Sequence, residues 1–335
     1  MTRSLLISFL FVVCGKTFAQ DPHYTQFQAS PLVVNPAYTG LFEGKWRVMA
    51  NYRSQYGNLV DPFITTTFVI DTKLGTQQGS GQSPLNLGIQ FMNDRTMQGI
   101  FSSNYLTATA AYHVKLDQEG NKTLGLGLLG TYGTRSIDFN QVVFDAQFAS
   151  GGFNRGLPTG ESVLQNMQPF FSVGSGLIFA AADAAGNNYF EIGAAGYNLN
   201  SPSQTVLADA NQKIKPRFAG MFTYRRKLND DVLVGLRGLI QQQSNIRYII
   251  GNLSAARMLS EEGTDMIGAG VWYRTGEGLS PYVFLEFSKM QVGFSYDIAT
   301  NRFQSGIQPA RSFEMSFQLR ISKEVDRNDC IRVSW

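Results

Sequence analysis

Charge is what this sequence has least of. Only 16% of its residues are Asp, Glu, Lys or Arg, against about a quarter in an ordinary soluble domain. A soluble β-sandwich of this length would need more surface charge. Long apolar runs are missing as well. No stretch of ~18 apolar residues occurs, and the mean hydropathy of −0.12 is too polar for a bundle of membrane helices. Histidine is limited to His23 and His113, too few for a His-based metal cluster. Cysteine is limited to Cys14 and Cys330.

Catalytic patterns are absent too. There is no Gly-x-Ser-x-Gly elbow, and neither histidine has a recognisable nucleophile partner. Gly40–Lys45 has one residue too few between its glycines for a phosphate loop. Trp46 also stands where a magnesium-binding Ser or Thr should be. The sequence therefore predicts neither an enzyme nor a cofactor. Asp230-Asp231 and Glu261-Glu262 fall in predicted turns and read as solvated charge.

Residues 1–19 read as a secretory leader: Arg3 at the start, an apolar core over Leu5–Val13, and Thr17-Phe18-Ala19 before the cleavage point. Removing it takes Arg3, Lys16 and Cys14. That leaves 26 basic against 25 acidic residues and one cysteine. No intramolecular disulfide is then possible, and no nucleic-acid footprint remains.

What the chain does have is glycine, aromatics and alternation: 34 Gly, 25 Phe and 14 Tyr. Polar and apolar residues that alternate along a strand cancel in the hydropathy average, as they do in outer-membrane barrels. Turn residues break residues 45–322 into about fourteen such strands, each near the ~9–11 residues that a tilted membrane strand needs. On the first, Trp46, Val48, Ala50 and Tyr52 share one face, with Arg47, Asn51, Arg53 and Gln55 on the other. On the last, Phe313, Met315, Phe317, Leu319 and Ile321 oppose Glu314, Ser316, Gln318 and Arg320. Leu124, Leu126 and Leu128 alternate with Gly125 and Gly127, which allows strong curvature or close approach by something inside the barrel.

These patterns predict an all-β fold: a transmembrane antiparallel up-and-down barrel. Longer connections, such as Ser136–Gln168, fall on the side expected to face outwards. The Lys73–Pro84 connection conflicts, being long on the short-turn side. An even strand count places both chain ends in the periplasm, with 323–335 as a polar tail. Aromatic residues near strand ends, among them Trp46, Tyr52, Tyr105, Tyr112, Trp272, Tyr273, Tyr282 and Tyr296, fit interfacial belts. The first and last strands are neighbours in a closed barrel. Arg47, Arg53, Gln55, Glu314, Gln318 and Arg320 are therefore expected to form a lumenal network. Such a network could hold a plug or a partner, or simply neutralise itself.

The stretch Gln20–Gly40, QDPHYTQFQASPLVVNPAYTG, remains. Pro22, Pro31 and Pro36 argue against a helix or a central strand, while its aromatics need a surface to cover. It is expected to be an irregular segment, over residues 20–44, that folds into or beneath the periplasmic mouth, packing Tyr24 and Phe27 and partly plugging the barrel.

Its residues Asp21, Pro22, His23, Tyr24, Gln26, Phe27, Asn35, Pro36 and Gly40 resemble the N-terminal signature of the PorP/SprF family of type IX secretion. Further stretches resemble later family strands: Tyr52-Arg53-Ser54-Gln55-Tyr56, Gly270-Val271-Trp272-Tyr273-Arg274, Gly293-Phe294-Ser295-Tyr296-Asp297-Ile298 and Ser312-Phe313-Glu314. Cys330-Ile331-Arg332 resembles the family's C-terminal cysteine. The resemblance implies an integral barrel in the outer membrane lipid of a Bacteroidetes-type cell. It further implies a role in export or surface anchoring of a large secreted adhesin through that adhesin's C-terminal domain, in gliding, and contact with periplasmic secretion components. A porin-like or hydrophobic-ligand transporter is the alternative.

Overall fold

The computed structural model describes residues 24–57, 61–74, 82–160, 167–204, 212–260, 265–276, 278–299 and 311–321. The expected leader and tail, and with them Asp21, Pro22 and His23, lie outside these residues.

Fourteen antiparallel strands close a barrel. They are β1 (Trp46–Gln55), β2 (Phe63–Leu74), β3 (Gln82–Thr96), β4 (Phe101–Lys115), β5 (Lys122–Ile137), β6 (Phe170–Ala182) and β7 (Asn188–Tyr197). The series continues with β8 (Arg217–Lys227), β9 (Val232–Gln243), β10 (Ile246–Met258), β11 (Met266–Arg274), β12 (Gly278–Phe287), β13 (Met290–Ala299) and β14 (Arg311–Ile321). Each pairs with its chain neighbours, and β14 pairs with β1, with Trp46 opposite Ile321 and Arg53 opposite Glu314. Closure leaves no unpaired edge, the condition for a sheet to cross lipid.

Period-two alternation sorts the two faces. Ile89, Phe91, Leu126, Leu128, Leu253 and Val283 are exposed on the outside, while Thr107, Thr109, Asn86 and Gln90 are buried inside. Of the aromatics expected in interfacial belts, Trp46, Tyr52, Tyr112, Tyr273 and Tyr296 do face outwards. Tyr105, Trp272 and Tyr282 do not: they are buried in the lumen. Position near a strand end was the wrong guide for these three. Trp272 shares the parity of Arg274, and Tyr282 that of Glu286.

β1 begins and β14 ends at one mouth, called here the terminal mouth. The connections 183–187, 228–231 and 288–289 at this end are short, while 138–169 and 198–216 lie at the opposite end. The connection expected to be long at the terminal mouth shrinks, because β2 runs on to Leu74 and β3 starts at Gln82. The long 138–169 segment carries a small hairpin, Phe148–Ala149 against Gly152–Phe153.

The N-terminal segment departs most from expectation. It is made of three short helical turns, Phe27–Ala29, Pro31–Val34 and Pro36–Tyr38. Pro31 and Pro36 each sit at the start of a turn. There the missing N–H has no helical partner to lose and the fixed φ favours a helix, so these prolines begin turns rather than forbid them. Every residue from Tyr24 to Phe42 is buried except the half-buried Gln28. Of the two expected positions, into or beneath the mouth, the segment takes the first: it lies within the lumen.

Candidate functional site

The plug enters the described structure far from the terminal mouth. Thr25 meets Arg53, Arg274 and Asp297. Arg274 ends β11, and Asp297 stands two residues before the end of β13. The chain then runs back through the lumen to β1.

On the wall formed by β13, β14, β1 and β2, charge holds the plug. The Glu314 carboxylate accepts four hydrogen bonds. The backbone N–H groups of Thr25 and Gln26 donate at 2.8 and 3.0 Å, Asn51 at 2.9 Å, and Arg53 at 3.0 Å. Arg53 also pairs with Asp297 at 2.9 Å. The Gln26 side chain donates to Ser295 Oγ at 2.9 Å and accepts from Ser316 at 2.6 Å. Nearer the terminal mouth, Arg47 grips Asp71 through two bonds of 3.0 and 2.8 Å. The same guanidinium donates to Tyr38 O at 3.0 Å, and Gly40 N–H donates to Asp71 at 2.8 Å. Buried charges of this kind persist only when paired and fully hydrogen-bonded. Here plug backbone supplies part of the pairing.

On the facing wall, β5 to β8, the plug is accommodated by missing side chains. A Cβ on Gly127 would lie 2.3 Å from Ala37 N, and one on Gly176 would lie 2.0 Å from Asn35 Oδ1. Asn35 caps its own turn by accepting from Ala37 N–H at 2.9 Å and donates to Leu177 O at 2.9 Å. Tyr197 and Arg217 donate to the carbonyls of Leu32 and Val33 at 2.9 and 3.1 Å. His113 Nε2 lies 2.8 Å from Ala37 O, and its Nδ1 lies 3.0 Å from Asn86 Nδ2. A carbonyl only accepts, so Nε2–H is the donor in this contact. Apolar contacts complete the fit, including Phe27 edge-on to Trp272 at 5.3 Å.

The model of the family described as "Type IX secretion system membrane protein PorP/SprF" matches residues 16–319. The chain belongs to the PorP/SprF family. It is an integral outer-membrane β-barrel and a secretion-related protein. No curated protein matches it in sequence. Among solved structures, this PorP/SprF barrel is similar to the Pseudomonas putida toluene transporter TodX, at 7% identity and TM-score 0.46, with 86% of this chain and 91% of that one covered. It is similar to the CymD monoaromatic hydrocarbon channel at 11% identity and TM-score 0.45, covering 88% and 93%. For CdiB from Acinetobacter baumannii the values are 8%, 0.46 and 82% of this chain, which spans 60% of CdiB.

The family-signature residues within the described structure, Tyr24, Gln26, Phe27, Asn35, Pro36 and Gly40, are all plug residues in contact with the wall. Of the six residues expected in a lumenal network, Arg53 and Glu314 meet across the β1–β14 seam. Arg47 pairs instead with Asp71, and Arg320 with Glu286. Gln55 and Gln318 are half-buried and contribute none of the four bonds to Glu314. Arg53 and Glu314 pair with each other and also bind Thr25 and Gln26 of the plug. Sequence reasoning passed over Asp71, Asn86, His113, Glu191 and Asp297. Their lumenal parity was readable, but their partners lie on other strands or on the plug.

Proposed function

We propose that this PorP/SprF barrel supports export or cell-surface anchoring of one particular large adhesin, through the adhesin's C-terminal domain, within the type IX secretion and gliding machinery. It acts without catalysis, as a docking and anchoring partner, and periplasmic secretion components are its further partners. The observation that supports this reading is a lumen occupied by the chain's own residues 24–42, whose backbone is hydrogen-bonded to buried, ion-paired side chains of the wall. Such a barrel suits work through its surfaces rather than as an open conduit. The porin-like or hydrophobic-ligand alternative requires a continuous path where the plug sits.

Deleting the gene tests the proposal. One adhesin should be trapped or shed while other secreted proteins behave normally, and affinity purification from wild-type membranes should recover that adhesin. Unchanged surface display of every adhesin in the deletion strain would sink it.

A further inference from the structure

Charge on the barrel wall is sorted by sign. Among the described strand residues, every Asp and Glu has lumenal parity. The charged side chains that point at lipid are all basic: Arg95, Lys122, Arg226, Arg247, Arg257 and Arg311. Each is exposed and stands first, second or next to last in its strand, at a rim of the barrel. The cost of placing charge in lipid does not account for the sign. At a strand end that cost is small for acidic and basic side chains alike. An anionic surface facing the rims does account for it, because such a surface attracts cations and repels carboxylates.

Over β8, β9 and β10, at the rim opposite the terminal mouth, such cations stand directly above an apolar strip. The long connections 138–169 and 198–216 leave from this rim, as they do on the outer side of membrane barrels. Phe218, Gln242 and Arg247 lie side by side on the three strands, and Ile240 and Ile249 pair one step deeper. Phe218, Ile240 and Ile249 are all exposed. The connection between β9 and β10 is only residues 244–245, so Arg247 lies close under the rim. Its Nε and Nη2 donate to Gln242 Oε1 at 3.3 and 2.9 Å. That amide is neutral. It holds the guanidinium against the wall and leaves the charge and the remaining N–H groups for an anion. Lys215 stands two residues before β8 and is exposed. Its carbonyl accepts from Gln243 Nε2 at 3.1 Å, which ties it to β9. Ile214 beside it is buried with Tyr24 and Phe170, so this stretch is anchored while its lysine stays outside. Among the described residues neither Arg247 nor Lys215 has a carboxylate partner.

We propose that this patch binds a phosphorylated glycolipid of the outer leaflet. Arg247 and Lys215 take a phosphate of the headgroup, and Phe218, Ile240 and Ile249 take the acyl chains beneath it. The site lies on the outside of the barrel and does not depend on the secretion reading.

Native mass spectrometry of the purified full mature chain in detergent tests this. The probes are diphosphoryl lipid A, the same lipid with its phosphates removed, and phosphatidylglycerol. Diphosphoryl lipid A should be retained about tenfold better than the phosphate-free form, the effect of one charge-assisted hydrogen bond. Arg247→Gln combined with Lys215→Gln should remove that preference, and since both side chains are exposed, neither change touches the core. Arg226→Gln combined with Arg257→Gln takes the same charge from the lipid-facing rim of the terminal mouth and should leave the preference intact. Equal retention of lipid A with and without phosphate, or a preference unchanged by Arg247→Gln with Lys215→Gln, overturns the proposal. Loss of the preference in both double variants overturns the site, because overall charge is then all that the lipid reads. Phosphatidylglycerol retained as well as lipid A, and lost on the same substitutions, overturns the assignment to the outer-leaflet glycolipid.

Discussion

The two walls that face the plug hold it by different physics. Strands β13, β14, β1 and β2 present Asp297, Glu314, Arg53, Arg47 and Asp71, and bind plug backbone through charge. Strands β5 and β6 present Gly127 and Gly176, and bind it by leaving room. The first wall also carries the seam where the barrel closes. A plug residue there completes the bonding of a cross-seam pair, Arg53 with Glu314. The charged wall is therefore expected to couple plug and closure, and the glycine wall to set only the plug's position.

Removing the plug should break the comparison altogether. Deletion of residues 20–34 strips Glu314 of two backbone donors and empties the lumen beside β13 and β14, while Asn35–Gly40 keep their contacts with Gly127, Gly176 and Asp71. The expected outcome is a barrel that loses heat resistance on unheated gels, or one that folds and conducts. A deletion variant with unchanged heat stability, conductance and adhesin display would show that the segment is only a leader.

A single change on the charged wall comes next. Glu314→Ala leaves Arg53 buried with one of its two acidic partners gone, a loss that typically costs about 3–5 kcal/mol. Thermal unfolding in detergent should show a large fall in midpoint. Glu314→Gln, which keeps the shape, should remain destabilising, because charge rather than volume is what Arg53 reads. Equal stability of Glu314→Gln and wild type would contradict the charge account.

At Gly127 and Gly176 the facing wall should respond to volume and not to charge. Gly176→Val puts a Cβ where Asn35 Oδ1 now lies, and overpacking of this kind costs about 1–3 kcal/mol. Adding Asn35→Ala should recover part of the loss, although Asn35→Ala alone destabilises by removing a cap worth ~1 kcal/mol. Strict additivity in that double-mutant cycle would show that the two residues do not share the space. The smallest effect belongs outside both walls. Phe148→Ser on the exposed hairpin should change stability by no more than ~0.5 kcal/mol.

Most of the barrel was legible because membrane strands carry a period-two signal that each strand states for itself. Arg311–Ile321 could be placed within a residue on Phe313, Met315 and Phe317 alone. The site was legible only in its parity. Arg53 and Glu314 could be set side by side because first and last strands must meet. His113 gave no such hint, since its partners Asn86 and Ala37 lie on another strand and on the plug. The prolines misled because their cost in a helix depends on position, and Pro31 and Pro36 occupy the one place where it vanishes. Trp272 and Tyr282 misled because depth along a strand was weighed above the face they share with Arg274 and Glu286.

The central claim is that the plug is a fixed part of the closed barrel. Conductance of the purified protein in planar bilayers tests it most directly. Wild type should be sealed, and the 20–34 deletion should open steady channels if it folds. Steady ion conduction by the wild-type barrel, with the plug in place, would contradict the account.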